Sequence, residues 1–186
     1  EQIQKLNAEL EQRVADRTRD LSVLYEVTMV ASEALDLDTM LARSLERVLA
    51  TIYREVVAIH LLDERKALLR LTVQQGIPPD IAAEIVTLPA AGGLADWMIA
   101  HGEPMLIPNI SADTRIPPAA RDFGPYAYLG LPMRARGRVL GVLSIVGAPE
   151  HEVNAEEVAL LASVADQVGV AVENARLRQQ AERAAV

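Results

Sequence analysis

The sequence predicts an α+β fold: an antiparallel sheet covered on both faces. Three observations point there. Between Ala127 and Gly147, Leu129, Leu131, Met133 and Ala135 alternate with Tyr128, Gly130, Pro132 and Arg134. After Arg136-Gly137 a second run sets Val139, Gly141, Leu143 and Ile145 against Leu140, Val142, Ser144 and Val146. A strand wet on one side carries polar residues at every second position, so apolar residues in both sets place this strand centrally, with layers above and below. Val56 to Leu62 and Ala67 to Gln74 form a second hairpin around the turn Asp63-Glu64-Arg65-Lys66. Amphipathic helical patterns precede and follow this strand-rich part.

Taken in order, the chain opens on Ile3, Leu6, Leu10, Val14, Leu21, Leu24, Ala31 and Leu35, with Arg17 and Thr28 filling the places where the series turns polar. The steps run 3, 4, 4, 3, 4, 3, 4, 3, 4. The two consecutive fours around Leu10 are a stutter, which locally unwinds a two-stranded coiled coil. No proline or glycine interrupts the stretch, which as one helix is on the order of 50 Å long. Its second half is expected to pack on its own domain, and 1–19 on a partner helix from another subunit.

Asp36 or Asp38 can cap a helix carrying Met40, Leu41, Leu45, Val48, Leu49 and Ile52, ending near Tyr53 or Arg54. The second hairpin follows, closed by Gly76-Ile77-Pro78-Pro79. Short helices are expected over 80–86 and 92–101, the latter turning Leu94, Trp97 and Met98 inward. Met105 to Pro108 reads as a short strand, and 109–125, with three prolines, as a loop or weakly helical flap. In the opening hairpin, Gly137 can take φ > 0 in a turn that Arg134, Arg136 and Arg138 mark as solvated. Pro132 cannot donate to a ladder, so a bulge or gap is expected there. Which alternating set meets which layer stays open, because such a bulge shifts parity by one residue. Asn154 and Glu157 form a capping box before Val158, Leu161, Val164, Ala165, Val168, Val172 and Ala175. Gly169 leaves room there for another helix, and from Arg176 a polar, strongly helix-forming tail is expected to run past the domain.

Composition bounds the chemistry. With 186 residues, 51% hydrophobic and 24% charged, the chain suits one domain plus an appendage, and its apolar runs fall short of a membrane span. A cytoplasmic fragment of a longer polypeptide is the expectation. The absence of cysteine removes disulfides, thiol nucleophiles, thiolate metal sites and thioether-attached chromophores. A net charge of −8 with 3% aromatic residues opposes nucleic-acid binding.

These elements, in this order, resemble a GAF domain. The resembling segments are LYEVTMVASEALDLDTML at 24–41, VAIHLLDE at 57–64, GGLADWMIAHGEPMLIPNI at 92–110, YLGLPMRARGRVLGVLSI at 128–145 and ADQVGVAVENARL at 165–177. LNAELEQRVADRTRDL ahead of them is similar to the coiled-coil linkers of bacterial sensor histidine kinases and diguanylate cyclases. PAS domains share a similar sheet but do not usually carry two helices before it and a long one after it. The resemblance implies a five- or six-stranded antiparallel sheet, with the first and last helices on one face and the short helices and loop over any pocket on the other. The implied organisation is a coiled-coil linker at 1–20, a GAF domain at 21–176 and the start of an output helix at 177–186.

The family layout brings His60, Trp97, Ile107, Arg121, Tyr126 and Tyr128 to one face, where they would either line a pocket or merely fill that layer. His60, mid-strand, is a haem or metal ligand or a hydrogen-bonded core histidine. His101 before Gly102 reads as a helix-end cation. His151-Glu152 is followed four residues on by Ala155 instead of a second histidine, so half a zinc motif is all it offers. Asp113 and Arg115 are expected to pair with each other or with water. The cyclic-nucleotide motif of some GAF domains finds no match, and the cysteines of the family's free methionine sulfoxide reductases are absent. The expectation is a non-catalytic sensor or relay module with no resident cofactor identified. It would be a parallel homodimer through its terminal helices, binding a small molecule or none, with its effector in the same polypeptide and no nucleic-acid or membrane contact. A pure dimerisation spacer and a non-covalent haem or bilin sensor are the alternatives.

Overall fold

Eight-residue strands β1 (Val56–Asp63) and β2 (Leu68–Gln75) form one hairpin, and β5 (Ala127–Ala135) and β6 (Arg138–Gly147) form the other. With the short strands β3 (Thr87–Pro89) and β4 (Met105–Ile107) they make a six-stranded antiparallel sheet ordered β3-β2-β1-β6-β5-β4, as the α+β reading requires. Helices α1 (Leu37–Ile52) and α5 (Ala155–Ala184) bracket the strands in sequence, and three short helices lie between: α2 (Pro79–Ile85), α3 (Leu94–His101) and α4 (Pro118–Asp122). This computed structural model describes residues 37–52, 56–148 and 153–184, together with Arg13. The expected coiled-coil segment, its stutter near Leu10, the helix to Leu35, the Asp36 cap, the end of the next helix at Tyr53 or Arg54, and His151-Glu152 lie outside these residues.

The hairpin's two apolar sets divide between two layers. Leu129, Leu131, Met133, Leu143 and Ile145 pack with Val57 and Ile59 against Met40, Leu41 and Leu45 of α1 and Leu161, Val164, Val168 and Val172 of α5. The opposite set, Tyr128 and Val142, meets the short helices instead. Parity changes once. Register passes from Met133↔Gly141 to Arg134↔Val139, leaving Leu140 as an extra residue that turns into the α1/α5 layer alongside Leu143.

The irregularity therefore lies on β6 at Leu140, and the bulge expected at Pro132 does not form: Pro132 pairs in register with Val142. β4 pairs only as far as Gly130, so Pro132 has a neighbouring strand on one side alone, where a missing N–H is tolerated. At the tip, Arg136 (φ 50°) and Gly137 (φ 75°) are both left-handed, the two-residue turn whose twist matches the strands. Gly169 accommodates a strand where a helix was expected: a Cβ there would lie 2.6 Å from the Arg134 carbonyl oxygen. The sheet thus sits directly against the α5 backbone.

The cap of α5 follows the sequence. Asn154 Oδ1 accepts from the Glu157 N–H at 2.8 Å, satisfying one of the first-turn donors. Asn154→Ala is expected to destabilise the domain by about 1 kcal/mol in urea titration, and Asn154→Asp to retain most of the effect. Farther along, Arg176 Nη2 donates to the Leu62 carbonyl at 3.2 Å, tying the helix to β1. No helix among the described residues is long and apolar enough to cross a membrane.

Candidate functional site

Under the face of the sheet away from α1 and α5 lies a cavity of about 480 Å³, within the range of small-molecule sites. Its floor is the alternate residues of the two central strands, Val56, Ala58 and His60 from β1 and Val142, Ser144 and Val146 from β6, with Tyr128 from β5. Its roof is α2, the start of α3, and the segment from Ile110 through α4. The roof stays up because prolines set its helix starts: Pro78-Pro79 lead into α2 and Pro117-Pro118 into α4, where a missing N–H removes no helical bond. Ser111 fastens the flap by donating to the Arg121 and Gly124 carbonyls at 3.0 and 2.7 Å, one hydroxyl hydrogen alternating between two acceptors.

The polar groups on the floor are committed to partners. His60 is 4% exposed, and its Nε2 lies 2.9 Å from the Ile85 carbonyl of α2. A carbonyl only accepts, so the ring proton sits on Nε2, and burial pushes the pKa below its ordinary value, keeping the imidazole neutral. His60 is thereby a strut between sheet and roof. The Tyr128 and Ser144 hydroxyls share a hydrogen bond at 3.1 Å, and burial pushes the phenol up to about 12.

That shift has a measurable consequence. Between pH 10 and 12 the folded protein keeps a proton that the unfolded chain has lost, so the stability present below pH 10 falls by about 1.4 kcal/mol per pH unit as pH rises. Tyr128→Phe is expected to flatten this alkaline decline in urea titrations across that window.

Of the six residues singled out from sequence, His60, Arg121 and Tyr128 line the cavity. Ile107 and Tyr126 pack beside it with Ile110 and Ile116. Trp97, expected to turn inward on α3, is 39% exposed and stacks on His101 at 4.6 Å, while Met98 and Ala95 carry the buried face. His101 Nδ1 bonds the Trp97 carbonyl at 2.9 Å, and left-handed Gly102 closes the helix. Asp113 and Arg115 pair bidentately, with the shortest contact at 2.6 Å, and the guanidinium holds the Asp113 carboxyl at about 2. Sequence reasoning passed over Ile77, Ile81, Ile85 and Leu88, and left open which layer the set containing Ser144 meets. The usable signal was parity: once Tyr128 faces the cavity, its β6 partner Val146 and the alternate residues Ser144 and Val142 must face it too.

A family model for the GAF domain matches residues 34–173. Among solved structures, the GAF domain of a phosphoenolpyruvate-protein phosphotransferase from Coxiella burnetii matches with a TM-score of 0.75 at 19% identity, covering 88% of this chain and 98% of that one. The free methionine-R-sulfoxide reductase of Neisseria meningitidis, solved with its substrate, matches at 0.70 and 20% identity, covering 86% and 91%. The phycoerythrobilin-bound GAF domain of a cyanobacterial phytochrome matches at 0.68 and 12% identity, covering 88% and 99%. At these identities the likeness is one of fold.

Proposed function

The chain belongs to the GAF domain family, and from that premise we propose that it is a non-catalytic sensor module of a cytoplasmic signalling protein of the histidine kinase or diguanylate cyclase type. It binds a small molecule in the cavity under the sheet and relays occupancy through its terminal helices, as a parallel homodimer, to an effector in the same polypeptide. The observation that carries the reading is the cavity itself: a roofed space of about 480 Å³ whose floor is the sheet that α5 packs against on its other face. Two features support the remaining parts. The chain has no cysteine with which to perform the thiol chemistry of the family's reductases. On α5, Val170 and Leu177 are 45% and 38% exposed, apolar surface that a second copy would cover.

A thermal-shift screen of soluble metabolites tests the sensor reading. Compounds that raise the melting temperature of the unaltered chain should fail with Ile81→Trp, which fills the cavity from α2. A spacer that only dimerises would give no shift with any compound. Sedimentation equilibrium at micromolar concentration tests the dimer, with twice the chain mass expected and a single-chain mass for Leu177→Glu.

A further inference from the structure

Resting on the ligand-binding reading above, we propose that the cavity takes a small monoanion with an apolar body, its carboxylate or equivalent held by Arg121. The chain carries 26 acidic residues and a net charge of −8, yet no Asp or Glu is among the residues lining the cavity, while two arginines are. Arg115 is already neutralised by Asp113, its partner at 2.6 Å. Arg121 is different. It lies in the last turn of α4, its Nε is shielded from solvent, and that Nε has no hydrogen-bond partner among the described residues.

A buried guanidinium N–H without an acceptor is unfavourable, and a ligand oxyanion is what relieves it: the planar fork offers Nε and a terminal nitrogen to two oxygens of one carboxylate. The position of Arg121 is set by the bond from Ser111 to its carbonyl, which holds the flap where the side chain lines the cavity. The rest of the lining fixes the remainder of the ligand. Ile77, Ile81, Leu88, Met98 and Val142 present only hydrocarbon and thioether surface. Each polar floor side chain already has one partner within the protein, His60 with Ile85 and Tyr128 with Ser144, which leaves few polar atoms for a ligand beyond one hydroxyl hydrogen, the His60 Nδ1 lone pair and Thr114 on the roof. A sugar or a polyanion would leave most of its own hydroxyls or charges without partners against such walls. One anionic head and an aliphatic or aromatic body match the surface.

Three probes that share a body isolate the head group: 4-phenylbutyrate, 4-phenylbutan-1-ol and 4-phenylbutylamine, titrated calorimetrically into the full chain at fixed ionic strength. The acid is expected to bind at least tenfold tighter than the alcohol, and the amine more weakly than either. In Arg121→Gln the acid should fall to the affinity of the alcohol, whose own affinity changes less than twofold. Equal binding of acid and alcohol by the unaltered chain overturns the anion assignment while leaving the cavity a ligand site. A preference for the acid that survives Arg121→Gln overturns the role of Arg121. Failure of all three probes to bind overturns this proposal and counts against the ligand reading with it. The acid-to-alcohol ratio in the unaltered chain requires no variant, so the assignment can be refuted even where Arg121→Gln proves unstable.

Discussion

Gly141→Val is expected to destabilise the domain by about 3 kcal/mol or more, or to prevent folding. Gly141 lies on β6 beside the antiparallel β1, paired with Leu61. A Cβ built there collides with the carbonyl oxygen of His60, and further contacts fall at 2.6 Å from Met133 Cε and 3.2 Å from Leu61 Cα. Methionine can swing aside. The β1 backbone cannot do so without opening the central ladder and displacing the His60 imidazole from Ile85. Overpacking against backbone is relieved only by moving strands, which is why the loss should exceed that of an ordinary surface change. Urea unfolding followed by circular dichroism reads it, and a change within 0.5 kcal/mol would mean that the two strands do not approach as described.

Leu131→Ala is the second large effect, expected to be about 2–5 kcal/mol. Leu131 is 0% exposed and stands in the layer shared by β5, β6, α1 and α5, where a deleted isobutyl group leaves a void bounded by several rigid elements. The matched control is Leu106→Ala on the neighbouring strand β4, where Leu106 is 48% exposed. That change is expected to stay within about 0.5 kcal/mol. Similar losses at the two leucines would contradict the assignment of odd-numbered β5 residues to the helix-facing layer.

That assignment marks how far the sequence could be read. Both long hairpins, the capped final helix and the two-layered covering follow from alternation, turn residues and the Asn154 cap, all local signals. Strand β3 was missed because three residues ending in Pro89 give no alternation, and only β2 beside it makes Thr87–Pro89 a strand. The segment 109–125 reads as a loop or weakly helical flap, and the helical alternative holds in two short pieces: Pro117-Pro118 start α4, and the Asn109 side chain, accepting from the Ser111 N–H at 3.0 Å, starts a short 3₁₀ turn. Trp97 is expected inside together with Leu94 and Met98 on the helix over 92–101. On an eight-residue helix, one buried stripe has room for Ala95 and Met98 and leaves Trp97 to His101. At the cavity, the aromatic and charged residues drew notice, whereas most of the lining is aliphatic and becomes visible only when strand parity is known. Parity in turn hinges on the unpaired Leu140, which no local pattern announces.

The bond from Arg176 to Leu62 fixes more than the position of α5; it sets the helix's phase. Eight further residues follow to Ala184, and each turns the emerging face by about 100° while advancing it about 1.5 Å. Deleting a single residue after Arg176 would therefore swing the face that Ala184 presents by more than a quarter of a circle, whereas deleting seven would leave it within about 20°. The azimuth of the helix's far end is thus counted from one hydrogen bond near the end of a central strand.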